Sequence, residues 1–236
     1  MNESSGKADK IRSMAKQGKQ RSPTFSAATA DVSDFSSSNI DSAPEKQTEI
    51  QSLQLADHFL IAMPGLSDES FAKSVVYLCE HSDRGALGLV INKPSDMTLK
   101  SLFDKVDLPL RREDLSQVPV FQGGPVHTER GFVLHSSDYH SAKATMAVGE
   151  TYGMTTTLDV LEALSVGSGP LQAVMAFGYS GWCAGQLEAE IARNDWLIGD
   201  ASDGLIFGAE PARKWALALA GMGVDAMALS PSGGRA

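Results

Sequence analysis

Three stretches of this chain are apolar at both alternating parities: SVVYLCE at 74–80, GALGLVIN at 85–92 and LQAVMAFGY at 171–179. A strand with one wet face alternates apolar and polar residues, so runs of this kind belong to central strands covered on both sides. The chain therefore has to build a sheet with helices packed on its faces. The linker HSDRG between the first two runs makes a hairpin natural. Two further segments, VPVFQGGPV and GFVLHS, are short, β-branched or aromatic, and bounded by Gly-Gly-Pro and Ser-Ser, as strands are.

The covering helices are also legible. MTLKSLFDKV (97–106) places Leu99, Leu102, Phe103 and Val106 on one stripe, with Ser95 or Asp96 as the expected cap. TTTLDVLEALSVG (155–167) opens with Thr156 three residues before Asp159, approximating a capping box, and Gly167 supplies a stop. AGQLEAEIARN is followed by the strand candidate WLIG. EPARKWALALAGMG has Pro211 suited to a first turn and Trp215, Leu219 and Met222 at helical spacing. Strands dominate the first two thirds and helices the last. The expected fold is α+β, a single compact domain with a mixed β-sheet and helices packed on its faces, spanning 51–228.

Residues 1–50 are rich in Ser, Ala, Lys, Asp and Gln with few large apolar residues, a composition unable to bury enough surface to offset chain entropy. They are expected to form a disordered tail, and residues 229–236 to fray. The first 21 residues carry six basic and two acidic side chains, and Glu3 and Asp9 argue against a transit peptide.

The net charge is −9, and residues 1–50 carry seven charges of each sign, so the imbalance lies wholly in the remainder. Binding to a phosphate backbone requires Lys and Arg clustered on one face, whereas the basic residues here are scattered or in the single pair Arg111–Arg112. Direct nucleic-acid binding by the core is disfavoured. No segment has the roughly 18–20 apolar residues needed to span a bilayer, and the N-terminus lacks the apolar region of a secretory signal. Cys79 and Cys183 lie far apart and form no paired motif, which fits a reducing compartment. A cytoplasmic protein with no membrane partner is expected.

The glycine-rich segment GYSGWCAGQLEAEIARN bears most directly on function. A nucleophile elbow reads G-x-S-x-G, and here Trp182 stands where the last glycine belongs; all five histidines precede Ser180, the reverse of the order that fold uses. Glycines at 178, 181 and 185 match no phosphate-binding loop, no Lys or Arg occurs between Lys143 and Arg193, and Glu188 and Glu190 already complement the helix dipole. A tight strand-to-helix corner explains the glycines and Trp182. It explains Gln186 and Glu188 less well, because Glu188 sits at the edge of the apolar stripe formed by Ala184, Leu187 and Ile191 and continued by Asn194. Cys183 reads as a small packed thiol.

Elsewhere, His127, Glu129 and His135 would share one face of a continuous strand, but Gly131 interrupts the regularity and structural roles are expected. Asn92 follows a two-faced run and precedes Lys93-Pro94, where an amide either contacts a ligand or bonds nearby backbone to shape the turn.

The segments LIAMPGLSDESFAKSVVYLCEHSDRGALGLVINKP, FQGGPVHTERGFVLHSSDY and GYSGWCAGQLEAEIARNDWL, in this order and spacing, resemble the YqgE/AlgH family of bacterial proteins over about residues 53–225. The resemblance implies an α+β domain with a mixed sheet, a cytosolic location, no established catalytic residue or cofactor, and frequent description as a transcriptional regulator. It marks Asn92, Pro94, Gly123, Gly124, Pro125, Arg130, Gly131, His135, Tyr179, Gly181, Trp182, Gly185, Gln186, Glu188 and Asn194. Cys183 departs from the small residue usual there.

The expected function is a binding or regulatory protein acting on transcription indirectly. Its unidentified protein or small-molecule partner would meet a polar-lined surface near the GYSGWCAGQLE loop, formed by Asn92, Arg130, His135, Tyr179, Trp182, Gln186, Glu188 and Asn194. No cofactor and no metal are expected. The alternative is an enzyme of hydrolytic or group-transfer type using Asn92, His135, Gln186 and Glu188 on the same surface; no complete catalytic signature decides between them.

Overall fold

The computed structural model describes residues 54–229 apart from 67, 143, 227 and 228. The tail expected at 1–50 lies outside the described residues, as does the frayed end expected at 229–236 save Leu229. The described chain forms strands β1 (His58–Ala62), β2 (Val75–Ser82), β3 (Gly85–Val90), β4 (Pro94–Thr98), β5 (Pro119–Gln122), β6 (Val126–Ser136), β7 (Thr145–Val148), β8 (Tyr152–Thr155), β9 (Ala173–Cys183) and β10 (Trp196–Asp200). Its helices are α1 (Leu99–Lys105), α2 (Asp159–Val166), α3 (Gln186–Ala192) and α4 (Pro211–Gly221), with a π-helical turn at Gly204–Gly208 and a 3-10 turn at Glu69–Phe71.

The strands form one curled sheet in the order β10-β1-β2-β3-β9-β6-β8-β7, from which β4 and β5 branch. β2 and β3 make the expected hairpin, with Ser82 opposite Gly85. β9 is the organising strand. Its first half pairs antiparallel with β6 and, on its other edge, parallel with β5 through Phe121 opposite Ala176; its second half pairs with β3 from Ser180 to Cys183. This parallel pair makes the sheet mixed.

Burial on both faces divides the core into three clusters. Phe59, Ile61, Val75, Tyr77, Leu89, Val174 and Ala176 face an inner cluster that includes Leu219 of α4 and Ile206 of the π turn. The opposite parity of the same strands, Leu60, Ala62, Val76, Leu78 and Val90, packs with Leu187 of α3 and with Trp182 and Trp196. Val133 and Met175 face a third cluster covered by Leu102 and Phe103 of α1 and Leu161 of α2. The two-faced runs of the sequence are thus strands wedged between helices, as their lack of alternation requires.

Helix boundaries move where pairing competes with capping. Ser95 and Asp96 do not cap α1: they lie in β4, where the Ser95 hydroxyl donates to the Val120 carbonyl, and Thr98 caps the helix in a reciprocal box with Ser101. Thr156 does not cap α2 either; Leu158 holds the N-cap position without a side-chain bond, while Gly167 ends the helix at φ +82° as expected. Strands β7 and β8 carried no clear signal in the sequence. Among the described residues, no helix is long and apolar enough to cross a membrane.

Candidate functional site

The corner that carries Trp182 begins with a change of parity inside β9. Val174 and Ala176 face the inner cluster and Met175 the third, yet Tyr179, an odd position, returns to the inner cluster. The switch falls at Gly178, whose φ is +73°. Opposite it, β6 bulges: Val126 pairs with Tyr179 and Gly131 with Phe177, so residues 127–130 span a single residue of β9. A Cβ at Gly178 would come 2.5 Å from the Gly124 carbonyl oxygen, and one at Gly124, in the loop before β6, would come 2.2 Å from the Tyr179 backbone, so both sides of this close approach use glycine. Beyond the switch, Trp182 points to the α3 side. Ser180 is 1% exposed, and its hydroxyl donates to the Gly123 carbonyl at 3.3 Å inside the strand, so it is a structural serine and not an exposed nucleophile.

Trp182 meets Trp196 of β10 edge to face at 6.0 Å, and Phe71 of the 3-10 turn closes the group at 5.5 Å from Trp196. Between the two indoles lies Glu190. Its Oε2 accepts the Nε1–H of Trp182 and that of Trp196, both at 2.8 Å, and its Oε1 accepts the Gln186 amide at 2.9 Å. The Gln186 oxygen in turn accepts the Cys183 backbone N–H at 3.1 Å. A cleft of about 260 Å³ opens over this constellation, walled by Phe71, Trp182 and Trp196 and bordered by Asp68, Arg193 and Asp195. Arg193 donates to Asp195 from Nε and Nη2. Asp68 is held below the usual carboxylate range by hydrogen bonds from Ser70 and by nearby Lys93, whose ammonium donates to the Ser70 carbonyl.

The expected site residues divide between this cleft and other places. Trp182 and Gln186 line it. Asn92 supports it from behind: its carbonyl accepts the Val75 N–H and its amide donates to the Lys73 carbonyl, both at 2.8 Å, which pins the segment after Phe71 to the end of β3. Glu188 points elsewhere, accepting His81 Nε2–H at 2.9 Å. Asn194 adopts φ +59° just past α3, the left-handed stop that Asn tolerates. Tyr179 stacks on His127 and packs against Phe132, and Arg130 lies in the β6 bulge.

His135 is remote. It pairs with Ala173 at the start of β9, ten residues before Cys183, or about 30 Å along a strand at roughly 3.3 Å per residue. It is completely buried, donating from Nδ1 to the Ser136 carbonyl at 2.9 Å and accepting at Nε2 from Thr155 at 2.9 Å. Burial depresses its pKa, consistent with a neutral ring. Asn92, His135, Gln186 and Glu188 therefore do not converge on one substrate.

Glu190, which the sequence marks only as a complement to the helix dipole, and Trp196 and Phe71 are cleft residues that were not among the expected ones. The available signal was the four-residue step from Gln186 to Glu190, which places them together on a helix; the aromatic partners come from elements distant in sequence. Among the described residues no three His, Cys, Asp or Glu side chains converge to hold a metal. A larger hollow, about 600 Å³, lies beside Leu205, Leu217, Ala218 and Met222 with Asp200 and Ser202 among its lining, but it has no comparable polar constellation.

Residues 59–227 match the family described as AlgH-like. The UPF0301 proteins of Polaromonas sp. and Verminephrobacter eiseniae are 56% and 55% identical to the chain, covering 80% and 78% of it and 99% and 97% of themselves. The solution structure of the AlgH protein from Pseudomonas aeruginosa is 40% identical, with a TM-score of 0.63, covering 81% of this chain and all of that one. A crystal structure from Corynebacterium diphtheriae shares the fold at 20% identity and a TM-score of 0.56, over 69% of this chain and 84% of its own. With its fold, its motif segments and its relatives in agreement, the chain belongs to the AlgH-like family.

Proposed function

We propose that this chain is a cytoplasmic binding protein whose ligand or partner enters the Trp182–Trp196 cleft, and that any effect on transcription is exerted indirectly through that partner. One observation carries the reading: an open cleft is lined by side chains whose geometry is already fixed, two indoles and a glutamine amide all aimed at the Glu190 carboxylate. Such prior ordering lowers the cost of immobilising side chains on binding. The unpaired thiols of Cys79 and Cys183 support the cytoplasmic part of the reading. The acidic balance of the core supports indirect action, because a phosphate backbone is recognised through clustered cations. The alternative of hydrolysis or group transfer by Asn92, His135, Gln186 and Glu188 loses support from their separation.

The three tryptophans provide the test. Trp182 and Trp196 line the cleft, whereas Trp215 donates to the Ala62 carbonyl at 2.9 Å and packs against the inner cluster. In full-length protein labelled with ¹⁵N-tryptophan, a binding fraction of a bacterial lysate should shift the Trp182 and Trp196 indole signals and leave Trp215 in place. Arg193→Ala, at an exposed rim position, should weaken that response. Binding that moves only Trp215, or no indole at all, would place the functional surface elsewhere.

A further inference from the structure

Resting on that binding role for the cleft, the charge pattern around Glu190 narrows what enters it. Three carboxylates border the cleft, and two have a cation of their own: Asp195 is paired with Arg193, and Asp68 has Lys93 nearby. Glu190 is different. Its oxygens are held by three neutral donors, and among the described residues no Lys, Arg or His lies within ion-pair distance of it. Neutral donors orient a carboxylate, but they leave its negative charge uncompensated. That charge is only partly exposed and sits among the rings of Phe71, Trp182 and Trp196. Aromatic faces attract cations, most strongly when water is excluded, and both indole N–H groups are already committed to Glu190.

We propose that the cleft binds a single organic cation, an alkylammonium or guanidinium group, seated against Glu190 within the Phe71–Trp182–Trp196 wall. An anionic ligand would face three carboxylates against one bordering guanidinium, which is already paired, and a neutral apolar ligand would leave the charge unanswered. The same chemistry is offered by a free small-molecule amine and by a lysine or arginine side chain of a partner protein.

The experiment follows the same three indole signals in full-length protein titrated with n-butylammonium chloride, with n-butanol as the neutral isostere. A saturable response at about millimolar concentration is expected for the cation at Trp182 and Trp196 only, as suits a ligand of so few atoms. Glu190→Gln should weaken it at least about tenfold, the effect of removing the one uncompensated charge. A pentapeptide, acetyl-Ala-Ala-Lys-Ala-Ala-amide, separates the sources: binding at least about tenfold tighter than butylammonium identifies a protein side chain, and equal or weaker binding identifies a free amine. Should Glu190→Gln fail to fold, Phe71→Leu removes one ring from a partly exposed position and is expected to weaken the cation response by several-fold. Equal responses to butanol and butylammonium, or cation binding that both variants leave unchanged, overturn the proposal. A lysate component that shifts the two cleft indoles while butylammonium does not would overturn the cation and leave the binding role standing.

Discussion

Lys214 shows how far a single residue can depart from what its type suggests. It lies on α4 and is 2% exposed, donates to the Ile206 carbonyl at 2.6 Å, and stands 5.4 Å from the centre of the Phe121 ring, and among the described residues no carboxylate lies within ion-pair distance of it. Burial alone pushes its pKa down from 10.5 to about 8. A lysine with a depressed folded pKa holds its proton less firmly in the native state, so the native state gains stability relative to the unfolded one as pH rises from about 8 to 10.5. Below that window the buried charge costs on the order of 2–3 kcal/mol. Lys214→Met removes that cost but leaves the Ile206 carbonyl without its donor, about 1–2 kcal/mol in the other direction. The variant should therefore be about 1 kcal/mol more stable than wild type at pH 7 and lose its advantage by pH 10, read from urea melts at both pH values. A difference independent of pH would mean that Lys214 is not held as a buried cation. Legibility was limited in the same way at Glu190. From sequence, Glu188 and Glu190 are two acids in one short helix; what distinguishes them is Trp196, delivered by β10 to one carboxylate and not the other. Trp182 and Gln186 were legible because a large aromatic and an amide beside a glycine-rich corner need partners wherever they lie.

At the scale of elements, strands declared themselves wherever apolar residues ran without alternation, and helices wherever the spacing and a stop agreed. The parity switch of β9 did not declare itself, since a continuous apolar sequence reads the same whether or not a strand changes face halfway along. Gly178 and Gly185 both have positive φ, +73° and +72°, but for different reasons. A Cβ at Gly178 would strike backbone at 2.5 Å, whereas one at Gly185, at the entrance to α3, would meet nothing within 4 Å. Gly185→Ala should then cost only the left-handed penalty, about 1–2 kcal/mol. Gly178→Ala should cost at least about 1–2 kcal/mol more, because β6 and β9 have to separate as well. Denaturant melts of the two variants decide it, and equal losses would show that the β6 bulge absorbs the added methyl group. The cap expected at Ser95 fails for a related reason: Ser95 is claimed by β4, and a residue cannot both continue a ladder and cap the helix that follows, whereas Thr156 lies just past the end of β8 and two residues short of the N-cap position that Leu158 takes.

The whole molecule is tied together by β9, which supplies Val174 and Ala176 to the inner cluster, Met175 to the third and Trp182 to the cluster beneath the cleft. Helices that cover different clusters are therefore coupled through one strand, and pulling that strand out of one cluster disturbs its packing in the other two. Unfolding should accordingly be a single transition, with the emission of the cleft tryptophans and far-ultraviolet circular dichroism tracing the same denaturant curve. Met175→Ala tests this from a distance. The residue is 2% exposed and faces the third cluster, away from the Trp182 side. Its truncation should cost about 2–4 kcal/mol as a core cavity. If β9 enforces cooperativity, both probes move to lower denaturant by the same amount, although no indole is touched. If instead the circular dichroism midpoint falls while the tryptophan midpoint holds, the α1–α2 side unfolds on its own, and the cleft is supported by β1, β2, β3 and β10 without the rest of the sheet.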